Sequence, residues 1–302
     1  MKTRFSLSLF DVMYSASQLN QLSFPYELML PSAADLKKPD NRFSLFVEWL
    51  RTCTDFGSCP LPKRSQLQNL IAMLLGHIET QCENPRAEER FVRFKAPLFL
   101  LYVALFYNQH VVRCYGYDGK FDQHKPNPLH IKPGARPFTD LYIAQASLST
   151  LPDDLQKLFP TPDLIKDKLL GKGAVYGSSL WLGVEPTYTP WHRDPNHNIL
   201  TQLHSKKKVR LMPPKRGQAI FERVQAELGS MGHTVGDPKI RGAEMMQGLQ
   251  KRLLHDAIWG DNHPLGIGEG ILSPSDSLFI PMGWWHSIKS AEDDDNSRLM
   301  DL

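Results

Sequence analysis

Long hydrophobic runs are missing from this 302-residue chain. No stretch approaches the roughly 18 uninterrupted apolar residues that a membrane-spanning helix needs, so no membrane partner is expected. The opening MKTRFSLSLFDVMYSASQL is interrupted at Asp11, too early for the apolar core of a signal peptide. Cysteine is scarce: Cys53, Cys59, Cys82 and Cys114 form no CxxC pair, which argues against a zinc knuckle or a disulfide framework and for reduced thiols. A formal charge of +3 is too small to argue for a nucleic-acid partner. Internal repeats are absent, and the acidic EDDD at 292–295 is the one biased segment. These absences place the expected location in the cytoplasm or nucleus.

Turn residues, by contrast, are plentiful. With 23 Pro and 20 Gly beside 41% apolar residues, the chain can bury a large core and favours a β-rich body. From Phe43 to about Tyr107 the apolar residues fall at helical spacing, and PLFLLYVALFYNQHVVRCYGY reads as a buried helix passing into a strand at Val111. Beyond the Pro-rich HKPNPLHIKPGARPF the pattern changes. Strands are expected at DLYIAQASL and at 178–184, 198–204, 207–212 and 277–281. A helical insert at about 217–260 lies between the last two, with Ile220, Val224 and Leu228 on one face. Such an insert covers an active site in some proteins and more often packs on the body.

Within TPWHRDPNHN, His192 and Asp194 stand two residues apart just before an apolar run. On a strand that spacing puts imidazole and carboxylate on one face, as half of a metal site; a solvated Asx-type bend before Pro195 explains the same triplet. His286 of FIPMGWWHSI offers a third ligand. Two histidines and one carboxylate on a β scaffold suit non-haem Fe(II), which keeps coordination positions open, whereas zinc more often takes a fourth protein ligand. In KKKVRLM, alternation sets Lys207 with Val209 and Leu211, and Lys206, Lys208 and Arg210 on the other face. A cation on an apolar face is costly unless an anion meets it.

The stretches LWLGVEPTYTPWHRDPNHNILTQLHSKKKVRLMPP and SPSDSLFIPMGWWHSI, with weaker support from LYIAQASL, resemble the JmjC-type, cupin-fold Fe(II)/2-oxoglutarate oxygenases, especially their small hydroxylase branch. The resemblance covers about half the chain. It implies a mainly β fold with α: a double-stranded β-helix (jelly-roll) core at 138–302, containing the helical insert, and a largely helical N-terminal region at 1–137 packed on it. It also implies Fe(II) held by His192, Asp194 and His286, with 2-oxoglutarate and O2 as co-substrates. Tyr142, Thr189 and Lys207 would grip the far carboxylate of 2-oxoglutarate, and Asn198 would approach its chelating end.

The implied reaction hydroxylates a C–H bond of a protein side chain, an RNA base or a small metabolite while 2-oxoglutarate is decarboxylated to succinate. N-demethylation by the same family chemistry and a catalytically impaired binding protein on the same fold are the alternatives. Trp181 and Trp284 read as core, Trp191 as facing away from the ligands, and His197, His204 and His263 as non-ligating. Family members usually run past the last histidine into further barrel strands, whereas here EDDDNSRLMDL is poor strand material. The edge so exposed would be covered by another segment or by a second subunit, as in a homodimer, or would leave the isolated chain only marginally stable.

Overall fold

A computed structural model describes residues 22–38, 40–52, 68–76, 91–115, 131–161, 175–232 and 248–291. Cys53, Cys59, Cys82, most of the N-terminal segment and the acidic tail lie outside the described residues. Contacts divide the described chain at Val184/Glu185 into two compact units, with Phe91 grouping with the second. The boundary implied by the resemblance, 137/138, lies within the stretch that these contacts group as the first unit.

In the first unit, β1 (Ser23–Met29), β2 (Phe91–Pro97), β3 (Leu141–Ser147) and β4 (Ser179–Gly183) form one sheet in the order β2-β1-β3-β4. Alternation along β1 buries Phe24, Tyr26 and Leu28. Its antiparallel register on β3 pairs Tyr26 with Ile143 and Leu28 with Leu141. Helix α1 (Arg42–Thr52) buries Phe43, Phe46, Val47 and Leu50, the expected stripe. Helix α2 (Phe99–Tyr115) is apolar around most of its circumference and largely buried. Its buried Asn108 is satisfied by donating to the Phe138 carbonyl at 2.8 Å and accepting from the Phe138 amide at 2.7 Å.

Two local expectations fail here. The helix does not give way to a strand at Val111: the β-branched pair Val111–Val112 stays helical because tertiary burial outweighs a weak propensity. Conversely, Phe91–Pro97 is a strand inside the region read as helical, stabilised by pairing with a segment far away in sequence.

The second unit holds a sheet ordered β5-β10-β7-β8, built from β5 (Tyr188–Arg193), β7 (Lys207–Met212), β8 (Gly268–Leu272) and β10 (Trp285–Ser290). A two-stranded ribbon pairs β6 (Asn198–Thr201) with β9 (Ser277–Ile280). The antiparallel sheets, with helices beside them, agree with a jelly-roll core that is mainly β with α. Between β7 and β8 the chain makes α3 (Pro214–Ser230), started by a proline in its first turn, and α4 (Gly248–Trp259).

These two helices are the expected insert, and they pack on the body. Ile220, Phe221, Val224 and Leu228 of α3 and Leu254 and Ile258 of α4 bury Trp191, Met212 and Trp285 from one face of the sheet. Gly217 lets α3 lie this close, since a Cβ there would run into the indole of Trp285. The stacked pair Trp191–Trp285, with centroids 6.0 Å apart, is thus the buried tryptophan pair, while Trp181 and Trp284, the two read as core, are only half-buried.

Candidate metal centre

Strand β5 carries His192 near its end, Asp194 follows one residue beyond it, and β10 carries His286 as its second residue. Ladder pairing sets His286 directly against His192, so both imidazoles leave the same face of the sheet. Their ring centroids are 4.1 Å apart. Asp194 reaches both: Oδ1 lies 3.9 Å from His192 Nε2 and Oδ2 lies 3.6 Å from His286 Nε2. One potential ligand atom from each residue falls within 4.8 Å of the others, the one such cluster among the described residues.

Local hydrogen bonds prepare these groups to bind a cation. His192 Nδ1 lies 2.8 Å from the Pro190 carbonyl, and His286 Nδ1 lies 3.2 Å from that of Trp284. A carbonyl can only accept, so each Nδ1 carries its proton and each Nε2 offers a lone pair to the cluster. Burial pushes the His286 pKa down, against the pull of Asp194 and the Trp284 carbonyl, which favours the neutral, ligating imidazole. Asn198 Nδ2 donates to Asp194 Oδ2 at 2.5 Å, orienting the carboxylate. The Pro281–Trp284 turn that delivers His286 is closed by the Trp284 amide on the Pro281 carbonyl at 3.1 Å. Its Gly283 has φ +76°, a conformation that a side chain would strain.

Between the pairs His286–His192 and Ile288–Thr189 the register shifts, so Pro190 and Trp191 of β5 stand opposite the single residue Ser287. This is a β-bulge, and a proline with no N–H to donate suits it. Residues three apart on a regular strand point to opposite faces. The bulge resets the parity, bringing Thr189 onto the face of His192, while Trp191, next to His192, faces the helices by ordinary alternation as expected.

Strand β7 extends the same face. Leu211 pairs with His286, Val209 with Ile288 and Lys207 with Ser290, so Lys207 stands on the ligand side, four residues along β10 from the cluster. Its ammonium donates to Thr187 Oγ1 and to Ser290 Oγ, the latter at 3.3 Å. Burial holds the Lys207 pKa below the ordinary lysine value, only partly offset by the charge of Glu185, whose carboxylate accepts from Ser205 Oγ at 2.6 Å. The contrast drawn in the sequence between an apolar and a polar face of β7 is incomplete. Helices cover the second face too, where Arg210 is only 8% exposed and donates to Glu269 at 2.6 Å and to the Ile258 carbonyl.

Six of the seven expected site residues, His192, Asp194, His286, Thr189, Asn198 and Lys207, belong to this second unit. Tyr142 belongs to the first, on β3, with its ring tilted against Trp181 at 5.9 Å. Thr187, Ser287 and Ser290 were not singled out by sequence, because isolated hydroxyl residues on strands carry no signal until the register is known. His197 stays outside the ligand cluster, accepting from the Met282 amide at 3.0 Å.

Two imidazoles and one carboxylate, with no fourth protein ligand in the cluster, fit a cation that keeps open positions, as non-haem Fe(II) does. Comparison with known proteins agrees. The cupin-like domain family matches residues 122–299, more than half of the chain. Lysine-specific demethylase JMJ30 of Arabidopsis thaliana is 27% identical over 154 residues, 51% of this chain and 32% of that protein. Lysine-specific demethylase 8 of Danio rerio is 25% identical over 153 residues, 50% of this chain and 33% of its own length. JmjC domain-containing protein D of Dictyostelium discoideum is 29% identical over 112 residues, 36% of this chain and 21% of that protein. The matched segments thus span a third or less of these relatives. The chain belongs to the cupin-like, JmjC-type family, which works with Fe(II), 2-oxoglutarate and O2.

Proposed function

We propose that this chain is an Fe(II)- and 2-oxoglutarate-dependent oxygenase that hydroxylates a C–H bond, with His192, Asp194 and His286 as metal ligands. The observation that carries the proposal is a half-buried lysine, Lys207, whose ammonium is partly desolvated and lies on the same sheet face as a two-histidine, one-carboxylate cluster. A desolvated cation at a fixed distance from a metal centre suits a ligand that chelates at one end and carries a carboxylate at the other. Lys207 and Thr189 are assigned to the far carboxylate of 2-oxoglutarate. A charge-assisted bond there contributes about 1.5–3 kcal/mol. Asn198, expected at the chelating end, is given the further task of holding Asp194.

Bound Fe(II) with 2-oxoglutarate would supply the activation of O2 and the oxidising power. The chain's own residues fix both imidazoles through Nδ1, favour neutral His286 by burial and, among the described residues, offer no fourth ligand to the cluster. The substrate is a protein side chain, an RNA base or a small metabolite.

Succinate formation from 2-oxoglutarate with Fe(II) and ascorbate tests the assignment. Asp194→Ala removes the one anionic ligand and should abolish both turnover and tight Mn(II) binding in calorimetry. Equal Mn(II) affinity in the variant and the wild type would sink the site. Tight binding of Mn(II) and 2-oxoglutarate without any succinate would point to an impaired binding protein.

A second reading, N-demethylation, draws on relatives named lysine-specific demethylases. It shares the first oxidation step and differs in releasing formaldehyde. Formaldehyde measured beside succinate on methyl-lysine peptides separates the two.

A further inference from the structure

We propose that Ser287 is a positioning residue for the metal centre, held in place by Trp259 of the helical insert. The inference rests on the metal-centre reading above. Ser287 is wholly buried, at 0% exposure, and is the one residue of β10 that faces the two bulged residues of β5. It follows His286 directly, so its side chain leaves the opposite face of the sheet and touches no ligand atom.

The hydroxyl of Ser287 bridges β5 and the insert, with the Tyr188 hydroxyl also beside it. Ser287 Oγ donates to the Thr189 carbonyl at 2.7 Å and accepts from Trp259 Nε1 at 2.9 Å. Thr189 is where the bulge begins, and the next carbonyl, that of Pro190, holds His192 Nδ1. Trp259 is itself fixed: the Arg210 guanidinium and the Lys289 ammonium each lie 4.7 Å from its ring, and Arg210 is anchored on Glu269. A continuous line of contacts therefore runs from Glu269 through Arg210, Trp259 and Ser287 to the bulge that sets His192 against His286.

Removing the hydroxyl leaves a buried indole N–H and a carbonyl without this partner and frees the bulge to relax. Because strand side chains alternate, loss of the bulge would set His192 and Thr189 on opposite faces of β5, so that only one of them could stay on the ligand face. Outer partners of this kind commonly change metal affinity by about 10–100-fold.

The test is Co(II) titration, followed by visible absorption, of wild type, Ser287→Ala and Trp259→Phe. Trp259→Phe keeps an aromatic ring near the cations while removing the N–H donor with its five-membered ring, so it decides the matter if Ser287→Ala does not fold. Expected are Co(II) binding weaker by about tenfold in Ser287→Ala, a smaller loss in Trp259→Phe, and altered ligand-field bands in both. Wild-type affinity and wild-type bands in both folded variants, with only the melting temperature lowered, would overturn the inference alone. Failure of the wild type itself to take up Co(II) would overturn the metal-centre reading and this inference with it.

Discussion

Lys207 keeps its charge in a place that penalises it, and that penalty makes it sensitive to both pH and anions. Its folded pKa lies below that of an exposed lysine, so the folded protein holds this proton less tightly than the unfolded chain does. Charged Lys207 therefore subtracts from stability at lower pH, and stability recovers as pH rises through the depressed folded pKa toward the ordinary value. A bound carboxylate reverses the shift. Binding of 2-oxoglutarate should take up protons in that window and weaken as pH climbs through it, which calorimetry of Mn(II)-loaded protein in buffers of different ionisation enthalpy measures directly. Lys207→Ala should lose about 1.5–3 kcal/mol of co-substrate binding, against a few tenths for the exposed Lys206. Equal losses in both would refute the assignment. Residues of this kind were partly legible in the sequence: His192, Asp194 and His286 show themselves by type and order, and Lys207 by the alternation of its strand. The face of Thr189 was not, since it depends on a bulge that no local pattern reveals, and the burial of Trp285 rather than Trp284 was not, since it depends on the helices that cover that face of the sheet.

At the level of elements, α3 and α4 support the sheet from the side opposite the metal ligands. Gly217 is the narrowest point of that support. Gly217→Ala would gain about 0.5–1 kcal/mol from helix propensity but must push the Trp285 indole aside, and overpacking of a core typically costs 1–3 kcal/mol, roughly outweighing the gain. The expected outcome is a lower denaturation midpoint in urea, and an unchanged or higher midpoint would show that α3 can shift away. The helices of the insert were readable because amphipathic periodicity is a local property. Strand β2 and the continuation of α2 past Val111 were not, because a segment such as Phe91–Pro97 owes its form to a partner brought from elsewhere in the chain.

On the scale of the molecule, the family match begins at residue 122, while β3 within it pairs with β1 from well before it. The N-terminal region therefore supplies a sheet neighbour to the matched segment. A fragment covering 138–302, the division implied by the family resemblance, would strip β1 from β3 and leave its backbone N–H and C=O groups unpaired at a hydrophobic edge. Such a fragment should bind a hydrophobic dye and aggregate where the full chain does not; a monodisperse, cooperatively melting fragment would show that β1 and the rest of the chain before residue 138 are dispensable. The tryptophan pair behind the ligands has an optical consequence. Trp191 and Trp285 stack back to back on the face opposite His192 and His286, neighbours in sequence to the groups that would hold the ion. A transition-metal ion with partly filled d orbitals at that cluster lies within quenching range of both indoles, so the protein carries its own fluorescent gauge of metal loading and needs no attached dye.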